Sequence, residues 1–102
     1  MSRLIFDSRP TTEKRTERFN FLSMLQPGVT ISSATVAVIV ESGDDANPQN
    51  IRSGSPSISG SIVFQKFYGG VPGVVYAATC TANTSDSQIL QLTGYMAVVS
   101  DA

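Results

Sequence analysis

The sequence predicts an all-β fold, an antiparallel β-sandwich with an extended N-terminal arm. Apolar and polar residues alternate over five segments that are rich in Val, Ile, Thr, Phe and Tyr, which is the pattern of half-buried strands. Clusters of Gly, Pro, Ser, Thr and Asn separate these segments at short spacing, as turns do. With 102 residues and 41% hydrophobic residues, the chain has the size and composition of one folded domain.

The five expected strands differ in which side chains share a face. The first places Phe19 and Phe21 together, and the fourth places Tyr76, Ala78 and Cys80 together. Since alternate residues of a strand point to opposite sides, each set is expected to face the core. The expected strands cover residues 18–22, 31–41, 58–67, 74–81 and 89–100.

The segments between the strands carry turn signals. Pro27 followed by Gly28 fits a type II turn, and the glycines of residues 69–73 fit a hairpin turn. Acidic and amide residues make 42–50 a loop, which the serines of 53–57 extend, and residues 82–87 form the last loop. Residues 11–17 have no apolar stripe, so we expect an extended arm or one frayed turn there instead of a helix.

Charge divides the chain into two parts. Five of the seven basic residues lie in the first 18 positions, and the remainder of the chain is mildly acidic. We therefore predict a charged N-terminal arm over residues 1–17 and a β-sandwich domain over residues 18–102. Acidic residues are mixed into the arm, which argues against a nucleic-acid partner.

The residue types that are missing exclude many kinds of active site. The chain has no His, no Trp and a single Cys, so it has no histidine-based triad, no internal disulfide and no cysteine-rich zinc site. Cys80 is expected to be a buried core thiol. The cluster of Glu41, Asp44, Asp45 and Asn47 does not match a calcium loop and fits an acidic turn. We expect no enzymatic activity, no metal and no cofactor.

No stretch is apolar enough to suggest contact with a membrane. The longest apolar run, residues 36–40, is far shorter than a membrane-spanning helix requires. The first residues also lack the apolar core of a signal peptide. A single Cys fits a reducing compartment, so a cytosol is the expected place of synthesis and assembly.

Several segments, in their order along the chain, resemble one protein family. Its pattern is carried by Glu13-Lys14, Glu17-Arg18-Phe19, Phe21, Leu25, Gly28, Ile31, Ser42-Gly43-Asp44, Asn47-Pro48, residues 60–63, Gln65, residues 73–76 and residues 80–85. This order resembles that of small Ig-like β-sandwich virion proteins of tailed bacteriophages, the fibre–tail adaptors or head–tail connectors.

The resemblance implies a structural protein of the virion that is assembled in the host cytoplasm. It would join tail or portal to fibres through subunit interfaces, as a homo-oligomeric ring in contact with other virion proteins. A surface with only 15% charged residues fits a protein that neighbours cover. Two alternatives stay open: a capsid decoration protein on the head exterior, and a ligand-binding β-sandwich module.

The arm is the candidate assembly interface. Its apolar residues would anchor it on a neighbouring subunit, and its charged residues would make polar contacts around them. The candidate interface residues are Leu4, Phe6, Arg9, Lys14, Arg15 and Arg18.

Overall fold

A computed structural model describes residues 3–100 of the chain, and within this range the fold consists of eight strands and two short 3-10 helices. The helices cover Leu22–Met24 and Pro48–Ile51. The strands are β1 (Arg3–Ile5), β2 (Arg9–Pro10), β3 (Arg15–Asn20), β4 (Ile31–Ser42), β5 (Arg52–Ser59), β6 (Ile62–Phe67), β7 (Val75–Thr84) and β8 (Ile89–Val99).

The strands form two sheets that pack as a sandwich. The larger sheet has the order β1-β8-β7-β4, and β2 also pairs with β8, while the smaller sheet has the order β3-β6-β5. The long strands pair antiparallel, but β1 and β2 run parallel to β8. The prediction of an all-β sandwich is therefore confirmed, while Ig-like topology stays a prediction.

The core lies between the two sheets and follows the predicted alternation. Tyr76, Ala78 and Cys80 of β7 are buried, as are Phe19 and Phe21. The thiol of Cys80 is thus a core group, as predicted. The other buried apolar side chains of this cluster are Ile31, Val36, Val38, Ile51, Val63, Phe67, Val74, Ala82, Leu92, Met96 and Val98.

The prediction of one strand over residues 58–67 is wrong. The chain turns at residues 60–61, where Gly60 has a φ of +60°, and β5 and β6 pair as a hairpin on either side. The serine-rich stretch 53–57 therefore belongs to β5 instead of a loop. Serines are typical of turns, and the sequence alone does not show that β6 supplies this stretch with a hydrogen-bonding partner.

The ends of two other strands also differ from the prediction. The structure extends β7 to Thr84, into the expected last loop, and the turn that follows places Ser87 at a φ of 69°. Strand β3 begins at Arg15, three residues before the expected start. In both places a neighbouring strand continues the ladder beyond the point where the alternation of the sequence ends.

Candidate assembly interface

The N-terminal segment, residues 3–18, lies against the body of its own chain. Residues 3–5 and 9–10 pair with β8, and the amide of Phe6 donates a hydrogen bond of 2.9 Å to the carbonyl of Tyr95. Residue 17, where the sequence suggested a boundary, lies inside β3. The division of the chain at this residue stays a prediction about assembly.

Phe6 joins this segment to both sheets. Its ring meets Phe19 edge-on, with centroids 5.5 Å apart, and is tilted against Phe67 at 6.5 Å. Gly94 makes room for the ring, because a Cβ at that position would overlap it. The backbone of Leu4 is in register with Gly94, whereas its side chain lies outside the described part of the structure.

Arg9 is fully buried and is held by backbone carbonyls. Its Nη1 donates to the carbonyls of Pro10 (3.1 Å) and Glu13 (2.7 Å), and its Nη2 donates to that of Gly69 (2.6 Å). Burial, followed by the nearby charge of Arg15, lowers the pKa of Arg9 from its ordinary value. The guanidinium therefore ties the N-terminal segment to the loop between β6 and β7.

Arg15 forms the centre of a small group of charges beside Arg9. Its guanidinium contacts the carboxylate of Glu13 at 2.7 Å and lies 3.9 Å from an oxygen of Glu17. That Glu17 oxygen is buried without a hydrogen bond. Burial raises the pKa of Glu17, and the charge of Arg15 opposes this increase. Arg15 is thus engaged mainly within its own segment.

Among the basic side chains that the structure describes between residues 5 and 18, Lys14 and Arg18 are the exposed ones. The ammonium of Lys14 lies 5.4 Å from the centre of the Tyr68 ring, and Tyr68 is itself 47% exposed. Arg18 lies on the outer side of β3, opposite Phe64 of β6. Both side chains are exposed to solvent.

A shallow cleft lies on the same outer side of the smaller sheet. It has a volume of about 290 Å³, and its lining residues are Thr16, Ser53, Gly54, Ser55, Ser57, Phe64 and Lys66. Lys66 adds a second exposed cation, beside Arg18, to this outer side of the sheet. The side is therefore positively charged and rich in hydroxyl groups, which suits contact with an acidic protein surface.

The acidic loop is tied to the core by Tyr76, which the sequence did not reveal. The Tyr76 hydroxyl donates to Asp45 Oδ2 at 2.6 Å and accepts from the amide of Val71 at 2.9 Å. Burial and this bond raise the pKa of Tyr76 to about 12, and the same bond lowers the pKa of Asp45. Since the two residues are 31 positions apart, no local pattern could have paired them.

The described residues give no indication of a metal centre or a membrane span. Within residues 3–100, no three His, Cys, Asp or Glu side chains are grouped closely enough to hold a metal ion. In the same range no helix has the length and apolar character needed to cross a bilayer. Burial raises the pKa of Cys80 to about 12, which keeps its thiol protonated.

Comparison with known proteins identifies the family. A search of the curated proteins finds no match. The family model described as "Podophage GP4 fiber-tail adaptor protein gp77" matches residues 11–96, which is most of the chain and includes Lys14, Arg15 and Arg18. This match supports the adaptor hypothesis over the decoration and ligand-binding alternatives. The chain belongs to the podophage fibre–tail adaptor family, and it is a structural adaptor of the virion that joins tail and fibres.

Proposed function

We propose that this adaptor acts as a homo-oligomeric ring that holds other virion proteins, such as tail, portal or fibre subunits, through its N-terminal segment. The ring is assembled onto the particle in the host cytoplasm, and the protein has no catalytic activity. One observation supports the proposal most strongly. The family match begins at residue 11, so it includes Lys14 and Arg18, the exposed cations described above.

The six candidate interface residues have three roles in this proposal. Phe6, Arg9 and Arg15 bind their own chain and hold the segment in place. Lys14 and Arg18 extend outward and make the contact with the partner. Leu4 contributes through its place in the edge strand β1.

The chemistry of the described residues supports a role without catalysis. A catalytic acid, base or nucleophile requires titratable groups that converge on a reachable site. The two buried groups with the clearest perturbation, Tyr76 and Cys80, both have a pKa raised to about 12 and stay protonated at neutral pH. They act as core groups, and the exposed surface offers contacts for other proteins.

Reversing the exposed charges tests the proposed interface. Phage that carry Lys14→Glu and Arg18→Glu should assemble particles with at least about tenfold fewer fibre proteins, because the complementary charges become repulsive. Quantitative mass spectrometry of purified particles measures this ratio. Gln88→Glu, an acidic change in the exposed turn between β7 and β8, is the control and should leave the ratio unchanged.

The variants must keep their fold for this test to be informative. Both cations are exposed, so the melting temperature of the purified double variant should match that of the unmodified protein. A stable double variant whose particles carry the normal number of fibres would contradict the proposed interface.

A further inference from the structure

Strand β3 forms one free edge of the smaller sheet. In the described part of the chain it pairs with β6 alone, in a regular antiparallel register. The amide of Phe21 donates to the carbonyl of Ser61 and continues this register, so the odd-numbered residues of β3 bond to β6. The backbone N–H and C=O groups of Thr16, Arg18 and Asn20 therefore point away from β6, toward the free edge.

Other sheet edges of the molecule are protected against pairing with a further strand. At the edge of β4, Gln49 Oε1 accepts from the amide of Val38 at 3.1 Å, and Arg52 Nη1 donates to the carbonyl of Val36 at 2.8 Å. Strand β5 is interrupted by a bulge around Pro56, and β1 and β2 are very short. Strand β3 by contrast contains neither a bulge nor a proline.

The outer side of the sheet beside this edge is positively charged. Arg18 and Lys66 are exposed there. Strands β5 and β6 contain no Asp or Glu, and Glu17, the one acidic residue of β3, lies on the inner side of the sheet. Glu13, which precedes β3, is bound to Arg15. A strand added at the edge thus places its outward side chains beside cations, and an acidic side chain opposite Arg18 forms a favourable cross-strand pair.

A second copy of β3 is a poor partner for this edge. In an antiparallel pair the edge-facing residues of the two copies must lie opposite each other, which leaves two registers with extensive overlap. One register places Arg18 opposite Arg18, and the other places Glu17 opposite Glu17. Like charges directly opposite each other destabilise a strand pair. The edge therefore favours a different chain with acidic side chains.

We propose that an extended, acidic segment of a fibre protein adds to the smaller sheet as a strand beside β3. The edge-facing backbone groups of Thr16, Arg18 and Asn20 bind its backbone, and the cations Arg18 and Lys66 select its acidic side chains. This inference rests on the proposed N-terminal interface and names the way in which that interface binds its partner.

Thr16→Pro tests the backbone contact without a change of charge. Proline lacks the N–H that an added strand needs, whereas β3 keeps its bonds to β6 because the amide of Thr16 points outward. Phage with Thr16→Pro should assemble particles with at least about tenfold fewer fibre proteins, as measured by quantitative mass spectrometry. Thr16→Val is the matched control, because it keeps the amide and a β-branched side chain, and its particles should carry the normal number of fibres.

Hydrogen exchange tests the same contact in the unmodified protein. The amides of Thr16, Arg18 and Asn20 should exchange at least about tenfold more slowly in particles with fibres than in particles from phage that lack the fibre gene. The amides of Glu17 and Phe19 bond to β6 with or without fibres, so they should exchange alike in both kinds of particle and serve as the internal control.

The outcomes separate strand addition from the interface on which it rests. Matching melting temperatures of Thr16→Pro and Thr16→Val show that the proline variant is folded, and if it is not, the exchange measurement decides alone. Strand addition is contradicted by normal fibre content in a folded Thr16→Pro variant, by fibre loss with Thr16→Val as well, or by equal exchange with and without fibres. If the charge-reversed particles still lose their fibres in that case, the N-terminal interface stands. Normal fibre content in the charge-reversed particles contradicts both proposals.

Discussion

At the scale of single residues, the structure depends on two polar side chains that reach between distant segments. The charged guanidinium of Arg9 is buried, and no carboxylate is directly bound to it. It donates its hydrogen bonds to backbone carbonyl oxygens instead. Tyr76 sends its hydroxyl out of the core to hold the acidic loop and the loop after β6 together. Each residue fixes the position of loops that have little apolar surface of their own.

Arg9→Met should lower the free energy of unfolding by about 3 kcal/mol, since the part-buried carbonyls of Pro10, Glu13 and Gly69 each lose the charged donor of Arg9. Urea denaturation should show a lower midpoint with an unchanged slope. Arg18→Met is the control at an exposed position and should change the stability by less than about 0.5 kcal/mol. Equal midpoints for Arg9→Met and the unmodified protein would mean that the carbonyl contacts do not stabilise the fold.

The stability of the protein should fall at alkaline pH because of Tyr76. Its pKa rises from 10.0 to about 12 in the folded state, so the folded protein holds this proton more tightly than the unfolded chain. The contribution of Tyr76 to the free energy of unfolding is therefore complete below pH 10.0 and is lost as the pH rises toward about 12. Cys80 adds to this loss, since its pKa rises from 9.0 to about 12.

Tyr76→Phe isolates the tyrosine contribution. At neutral pH the variant should lose about 1–3 kcal/mol, because the amide of Val71 and the carboxylate of Asp45 lose their partner. Its stability should then fall less steeply than that of the unmodified protein between pH 10.0 and about 12. Urea denaturation at several pH values measures both effects, and parallel pH profiles would contradict the assignment.

At the scale of elements, the long strands could be predicted from the sequence, while the N-terminal strands could not. Alternation identified β4, β7 and β8, because each has one face in the core and one face outside. The pairing of Arg3–Ile5 with β8 joins residues about 90 positions apart and rests on Phe6 fitting over Gly94. In the sequence, Gly94 within an expected strand indicates that another group approaches the backbone closely there. It does not indicate that this group is the ring of Phe6.

Gly94→Ala should displace Phe6 and loosen β1 from β8. Overpacking of this kind costs about 1–3 kcal/mol. Hydrogen exchange should show lost protection at the amide of Phe6, which donates to the carbonyl of Tyr95 in the folded protein.

A double variant shows whether the ring of Phe6 is the cause. When Phe6→Ala is combined with Gly94→Ala, the added methyl group no longer meets a ring, so the total destabilisation should be smaller than the sum of the single effects. Additive effects would contradict the direct contact between the two residues.

At the scale of the whole molecule, the sandwich presents two sides of different chemistry. The smaller sheet exposes cations and hydroxyl groups on its outer side, whereas β7 and β8 of the larger sheet contain no charged residue. The charge asymmetry of the sequence pointed to the N-terminal cations, of which Lys14 and Arg18 are exposed and Arg9 is buried. The burial of Arg9 could not be predicted, because its guanidinium binds backbone carbonyls, one of them that of Gly69, 60 positions away.

An adaptor between the tail and the fibres is present in few copies, all at one vertex of the particle. Quantitative mass spectrometry of purified particles counts the copies of this chain per particle. We expect about six or twelve copies, or a small multiple, as a closed ring at a single vertex requires. A count in the hundreds, or the absence of the chain from particles, would contradict it.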